Sequence, residues 1–316
     1  MRKTVAQPPV PEPETWTPPP GFRAGIVSLV GQTNVGKSTL LNRILGRKVA
    51  IVSPKPQTTR TRITGVLTRP EGQIVFWDTP GIHEPHFELN KRMVQIAYAC
   101  LRNVDLIGWV IDVEREAYRP YEPILNLLRE VQAETPVFLI INKIDRVPKA
   151  EVLPVIDRYR QWMDFREIVP VSALRGTNVE ELVRTILKYL PEGPPLFPPG
   201  QWTDADERFL IAELIREKVF HYTRQEVPYC TAVHIPKVEV KGSVWVVYAD
   251  IWVEKDSQKG ILIGKGGQML KRIGTRARQE IEALLGQRVY LDLQVRVREK
   301  WRQRPSDLDL LGIRWE

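Results

Sequence analysis

The sequence predicts an α/β fold built on a mostly parallel sheet, followed by a smaller α+β domain. Three observations predict it. Short apolar runs at 24–31, 73–81, 106–113, 137–145 and 168–173 alternate with helical patterns, as expected for strands buried by helices on both faces. Between the first run and the first helix stands Gly31-Gln-Thr-Asn-Val-Gly36-Lys37-Ser38, a GxxxxGK[ST] loop in its strand–loop–helix context. Beyond the proline cluster Pro191–Pro199 the pattern changes to a helix, two strands, a glycine-rich segment, a helix and an alternating strand.

In chain order, residues 1–21 form a proline-dense stretch that is expected to stay extended and mobile. The strand at 24–31 leads to a helix carrying Leu40, Leu41, Ile44 and Leu45 at helical spacing. Strands at 62–67 and 73–81 follow, and helices fill 88–102, 121–133, 151–163 and 178–190. This block spans 22–190, and 191–203 is the expected linker. The second domain spans 204–316, with a helix at 204–220 and strands at 231–240 and 244–254 joined by a Lys241-Gly242-Ser243 turn. After a helix at 267–285, Val289, Leu291, Leu293, Val295 and Val297 face one way and Tyr290, Asp292, Gln294, Arg296 and Arg298 the other, a half-buried strand.

Composition narrows the functional classes. A chain of 316 residues fits two domains at roughly 100–200 residues each. The two cysteines, Cys100 and Cys230, give no disulfide framework, and the four histidines form no metal-binding spacing. No apolar run is long enough to span a membrane, and the proline-rich start lacks a signal-peptide core. The net charge of +8 suits either nucleic acid or an anionic membrane surface. From Lys255 onward there are fourteen Lys/Arg against eight Asp/Glu, so most of the excess sits in the last fifth of the chain.

Four motifs fall at the C-terminal ends of strands, where open α/β sheets bind ligands. In the first, Gly31 and Gly36 let backbone N–H groups close on phosphate oxygens, Lys37 reaches the β- and γ-phosphates, the Ser38 hydroxyl ligates Mg²⁺, and Asn34, Val35 and Thr39 complete the expected nucleotide-binding set. In Asp78-Thr79-Pro80-Gly81, the carboxylate holds the Mg²⁺ shell and the Gly81 N–H approaches a γ-phosphate. In Asn142-Lys143-Ile144-Asp145, Asp145 offers two acceptors to the N1–H and amine of guanine, Asn142 ties loops together and the Lys143 stem lies over the base. Ser172-Ala173 presents a backbone N–H to the guanine O6. Together they predict a site for GTP and GDP.

In the second domain, Ile261-Leu-Ile-Gly264-Lys265-Gly266-Gly267 precedes a helix with Lys271, Arg272, Arg276 and Arg278. The glycines permit close approach of a nucleic-acid backbone, Lys265 supplies charge, and Ile261 and Ile263 are expected to floor an apolar base groove.

These residues carry a resemblance. The first block resembles a Ras-like G domain of the translation-factor-like GTPases, and more narrowly the group containing the Era, Der and tRNA-modification GTPases. The P-loop asparagine of GQTNVGKS and Gln57-Thr58-Thr59-Arg60-Thr61 in the switch I position support it. The LIGKGG segment resembles the GxxG loop of a prokaryotic-type (type II) KH domain. The combination resembles the Era family over about 22–312.

The resemblance implies an enzyme that hydrolyses GTP slowly, with Lys37, Thr59 and Gly81 at the reacting phosphate and a switch threonine on Mg²⁺. Matching TTR to TTR selects Thr59, with Thr58 and Thr61 as alternatives. Ile82 replaces the water-orienting glutamine of Ras-like enzymes, and His83 beside it is a lone loop histidine. Asn34 is implied as a K⁺-binding group. Further implications are binding near the 3′ end of small-subunit (16S) rRNA, action in 30S ribosomal subunit assembly, a monomeric state, and a cytoplasmic location with peripheral contact to the inner membrane. A membrane-surface GTPase whose basic C-terminal domain binds anionic lipid or RNA nonspecifically is the alternative.

Overall fold

The computed structural model describes residues 17–82, 84–85 and 87–314; the proline-rich stretch up to residue 16 and His83 lie outside the described residues. The first unit runs β1 (Arg23–Val30), α1 (Lys37–Leu45), β2 (Ile63–Arg69), β3 (Gly72–Asp78), α2 (Glu88–Ala99), β4 (Leu106–Asp112), α3 (Glu122–Val131), β5 (Val137–Asn142), α4 (Lys149–Trp162), β6 (Glu167–Pro170) and α5 (Val179–Tyr189). Its strands form one sheet in the order β2-β3-β1-β4-β5-β6, parallel except for β2 against β3. Every residue of β4 is buried, because helices cover both faces. Leu40, Leu41, Leu182 and Ile186 pack on one face, and Ile124, Leu128, Val155 and Tyr159 on the other.

Register positions the site. Leu29 pairs with Asp78 and Asp112 with Asn142, so the ends of β1, β3, β4 and β5 meet at one edge. The last strand is shorter than the expected 168–173, because the chain turns at Ser172, whose N–H donates to Thr177 O at 3.1 Å. The expected linker is a strap along the sheet edge. Val66 N–H donates to Trp202 O at 2.9 Å, Thr203 Oγ1 to Thr64 O at 2.7 Å, and the Leu196 and Phe197 amides to Gln73 Oε1.

The second unit runs α6 (Glu207–Tyr222), β7 (Ala232–Lys241), β8 (Val244–Val253), α7 (Asp256–Ile263), α8 (Gln268–Leu285), β9 (Arg288–Val297) and α9 (Pro305–Leu310). Its sheet has the order β7-β8-β9, antiparallel then parallel. Asp206 caps α6 by accepting from Phe209 N at 2.6 Å. Ile211, Ile215, Leu262, Ile273, Ala277 and Ile281 pack on the inner sheet face against Val247, Ile251 and Val295. Among the described residues no helix is long and apolar enough to cross a membrane.

The two units share a buried cluster. Leu89, Met93 and Ile96 of α2 meet Trp252, Trp301, Leu308 and Ile313. Arg92 donates to Asp309 at 2.6 Å and to Ile313 O at 2.9 Å. On the other side, Lys48 donates to Glu217 at 2.5 Å and to Glu280 at 2.7 Å.

Candidate functional site

The loop from Gly31 to Ser38 opens a cleft of about 470 Å³, lined by Asn34, Gly36, Lys37, Ser38, Thr39, Thr59, Gly81, Asp112 and Lys143 among others. Gly36 has φ 101°, and a Cβ there would lie 2.3 Å from the Asn142 amide nitrogen, so only glycine fits. The Asn142 Nδ2 donates to Val35 O at 2.8 Å, which ties the P-loop to the end of β5. Lys37 is buried, and its ammonium donates to Gly31 O at 3.0 Å and Gln32 O at 2.9 Å. Burial lowers its pKa to about 8, against the pull of Asp78 and Glu116. Such a partly desolvated cation favours a phosphate oxygen strongly.

The oxygens expected around Mg²⁺ converge. Ser38 Oγ donates to Asp78 Oδ2 at 2.5 Å and lies 3.0 Å from Thr59 Oγ1, which lies 3.4 Å from the same carboxylate oxygen. Asp78 is buried, its Oδ1 has no hydrogen-bond partner, and burial raises its pKa to about 6. A hard divalent cation with oxygen preference suits this set. Of the three candidate threonines, Thr59 reaches it; the Thr58 hydroxyl donates to Lys55 O at 2.8 Å, and Thr61 does not line the cleft. A Cβ at Gly81 would lie 2.7–2.9 Å from Thr33 atoms, so those two backbones abut. Ile82 is buried and apolar, with no group to hold water.

At the base end, Asp145 Oδ1 accepts from Ser172 Oγ at 2.5 Å, and Lys143 donates to Asn34 O at 2.7 Å and Asp112 Oδ2 at 2.6 Å. The Ala173 amide departs from expectation. It donates to Asn142 Oδ1 at 3.0 Å, and the Ser172 amide is taken by Thr177 O, so neither is available to a base O6 in this arrangement. The physical reason is that Asn142 uses its two ends to join the P-loop to this turn. Asn34 Nδ2 donates to Pro54 O at 2.7 Å, linking the P-loop to the 53–62 segment.

In the second unit, Gly264 (φ 72°), Gly266 (φ 59°) and Gly267 (φ 76°) form the turn between α7 and α8. A Cβ at Gly264 would lie 2.7 Å from Met269 Cβ. Lys265, Gly266, Lys271 and Arg272 are exposed, and the Arg272 guanidinium sits 4.2 Å over the Tyr222 ring. The expected pair Ile261 and Ile263 does not floor one groove. Their segment is the helix α7, on which residues two apart face different ways. Ile261 is exposed, whereas Ile263 packs on the core beside buried Leu262.

Sequence reading gave Arg60 no role beyond its place in the switch I motif, and missed Arg115 and Glu116. Arg60 is buried among Pro228, Tyr229 and Thr231 carbonyls of the second unit. Burial pulls its pKa well below the usual value, and Arg216 adds to this. Glu116 accepts from Gln32 Nε2 and from Asp112 N, each at 3.1 Å. The available signal was the charged Glu114-Arg115-Glu116 run at a strand's C-terminal end.

Comparison with known proteins places this geometry. Residues 26–143 match a family model described as a 50S ribosome-binding GTPase, and residues 226–302 match the KH domain. The chain is similar to the GTPase Era of Heliobacterium modesticaldum (strain ATCC 51547 / Ice1), 51% identical over 294 residues, covering 92% of this chain and 97% of that protein. It is similar to a crystal structure of a point variant of Aquifex aeolicus Era bound to GDP·AlF4⁻, with TM-score 0.89 and 46% identity over 93% of this chain and 100% of that one. A crystal structure of Era with MgGDPNP and nucleotides 1506–1542 of 16S ribosomal RNA gives TM-score 0.87 and 46% identity at the same coverage. With a G domain whose cleft is built around a P-loop, a C-terminal KH domain, and this identity across nearly its whole length, the chain belongs to the Era family of GTPases.

Proposed function

We propose that this protein is a slow GTPase switch that binds the 3′ region of 16S rRNA through its KH domain and acts in 30S ribosomal subunit assembly, with GTP favouring the RNA-bound state. The observation that carries this reading is the exposed GKGG turn at the head of the basic helix α8, on the same chain as the P-loop cleft. The likeness to an Era structure holding MgGDPNP and nucleotides of 16S rRNA supports it.

The residues divide the work. Backbone amides of the P-loop and the Lys37 ammonium hold the β- and γ-phosphates. Ser38 and Thr59 would hold Mg²⁺, with Asp78 behind them. Bound there, the ion supplies charge neutralisation on the phosphate oxygens. In this reading the γ-phosphate and Mg²⁺ would hold the 53–62 segment in its GTP-bound arrangement through Thr59, and hydrolysis would release it. With Ile82 unable to position water, unassisted turnover is expected on the order of 10⁻⁴–10⁻² s⁻¹. Asp145 selects guanine.

K⁺ belongs to this reading at Asn34, which already links P-loop and switch segment; unchanged turnover when Na⁺ replaces K⁺ would remove it. We place the monomeric protein in the cytoplasm, with peripheral contact to the inner membrane through its basic C-terminal domain.

Fluorescence anisotropy tests the central claim. A single-stranded RNA copied from the 16S rRNA 3′ end is compared with a scrambled RNA, each with GDPNP and with GDP. Tighter binding of the rRNA sequence with GDPNP supports the switch. Equal binding of both RNAs in both states overturns it and directs the search to anionic vesicles.

A further inference from the structure

Five successive P-loop carbonyls each accept a hydrogen bond from a side chain. Gly31 O and Gln32 O accept from Lys37, Asn34 O from Lys143 at 2.7 Å and Val35 O from Asn142 at 2.8 Å. Those three donors belong to the GK[ST] and NKxD motifs. The remaining carbonyl, Thr33 O, accepts from Arg115 Nη1 at 3.0 Å, and Arg115 belongs to neither motif.

The peptide it holds is a demanding one. Asn34 follows it with φ 66°, a left-handed conformation that side-chain-bearing residues rarely adopt. The peptides on both sides of Asn34 therefore carry a cation on their carbonyls, Arg115 before and Lys143 after. In a trans peptide the N–H points opposite to the C=O. The bond from Arg115 to Thr33 O therefore fixes the orientation of the Asn34 N–H as well, and Thr33, Asn34 and Arg115 all line the cleft. Hydrogen bonding to the carbonyl also polarises the same peptide, which strengthens its N–H as a donor.

Arg115 is itself braced. Its Nη2 lies 3.5 Å from Gln32 Oε1, and Gln32 Nε2 donates to buried Glu116 at 3.1 Å, which in turn accepts from Asp112 N at the end of β4. The P-loop is thus tied to β4 from outside the two motifs.

We propose that Arg115 is a positioning residue of the phosphate cradle, holding the Thr33–Asn34 peptide so that the Asn34 N–H faces a phosphate oxygen. This rests on the reading of Gly31–Ser38 as the phosphate site.

The test uses the full-length protein and Arg115→Ala and Arg115→Lys variants. Each is titrated with GDP and with GMP in competition with a fluorescent GDP, after thermal unfolding of the nucleotide-free forms has verified folding. GMP serves as the probe lacking the β-phosphate. Arg115→Ala should weaken GDP about tenfold, a change of about 1.4 kcal/mol, and leave GMP unchanged, while Arg115→Lys recovers most of the loss. Parallel loss of GDP and GMP, or no loss of GDP, overturns the proposal. If the unaltered protein fails to prefer GDP over GMP, the reading of the loop as a phosphate cradle falls first, and the role of Arg115 with it.

Discussion

Thr59 and Arg60 are neighbours in sequence yet reach into different domains. Thr59 Oγ1 lies 3.0 Å from Ser38 Oγ in the nucleotide cleft. The Arg60 guanidinium donates to Thr231 O at 2.7 Å, Pro228 O at 3.2 Å and Tyr229 O at 3.3 Å in the KH domain, between the Phe220 and Trp301 rings. Lys55, earlier in the same segment, donates to Phe220 O and Thr223 O, and Arg216 returns a bond to Thr58 O at 2.6 Å. A segment that lines the nucleotide cleft is therefore anchored on the domain that carries the GKGG turn.

Arg60 sits among carbonyls and rings, with Nε lacking a hydrogen-bond partner. A buried cation without a directly bonded carboxylate is held only while every neighbour stays in place. We predict that Arg60→Ala uncouples the domains. RNA affinity measured with GDPNP and with GDP should then differ by less than about twofold, below the fivefold or more typical of allosteric coupling. A nucleotide preference equal to that of the unaltered protein would refute this anchor as the coupling element.

At the base end, Asp145 Oδ1 is held by Ser172. In Asp145→Asn the side-chain oxygen can keep that bond and turn its Nδ2 toward the base, offering a donor where guanine also offers donors. Xanthine offers a carbonyl there instead. Preference should move from GTP to xanthosine triphosphate by a factor of at least about 10², given how strongly hydrogen-bonding sites reject mismatched partners. Competition of the two nucleotides against labelled GDP reads the shift; retained GTP selectivity would sink the assignment of Asp145.

Gly266 has φ 59° and open space around its Cβ position. Aspartate tolerates that backbone region better than most residues, so Gly266→Asp should fold while placing a negative charge where an RNA phosphate would approach. RNA binding should be lost and GTP binding retained. Equal loss of both would point to damage of the whole chain rather than of the GKGG turn.

The nucleotide site was largely legible in the sequence because short motifs at strand ends keep their meaning wherever the sheet forms. Lys37, Ser38, Asp78 and Asn142 needed no tertiary information to be found. Contacts between the domains were not legible. Helix α6 carries no clean apolar stripe, since Ile211 and Ile215 face the KH core while Arg216, Glu217 and Lys218 are buried toward the G domain and α8. Its pattern mixes two interfaces. Helix α7 is short and runs straight into the glycine turn, so its period is too brief to read. The Ala173 amide shows a third limit: a motif fixes which residues gather but not which of their donors remain available.

Glu116 gives the nucleotide-free protein a pH dependence with a definite sign. Burial raises its pKa from 4.5 to about 7, so between those values the folded state binds more protons than the unfolded chain. Stability from this group is greatest at low pH and falls as pH rises toward 7, by about 3 kcal/mol in all. Asp78, raised to about 6 by burial, acts in the same direction over a lower range. Glu116→Gln removes only the first contribution. Denaturant unfolding at pH 5.5 and pH 8 should therefore show a drop in stability that is about 2 kcal/mol smaller in the variant than in the unaltered protein. Part of the difference remains in both proteins, because Asp78 still titrates. Identical pH slopes would mean that Glu116 stays ionised in the fold, held by Gln32 and the Asp112 amide more strongly than burial opposes it.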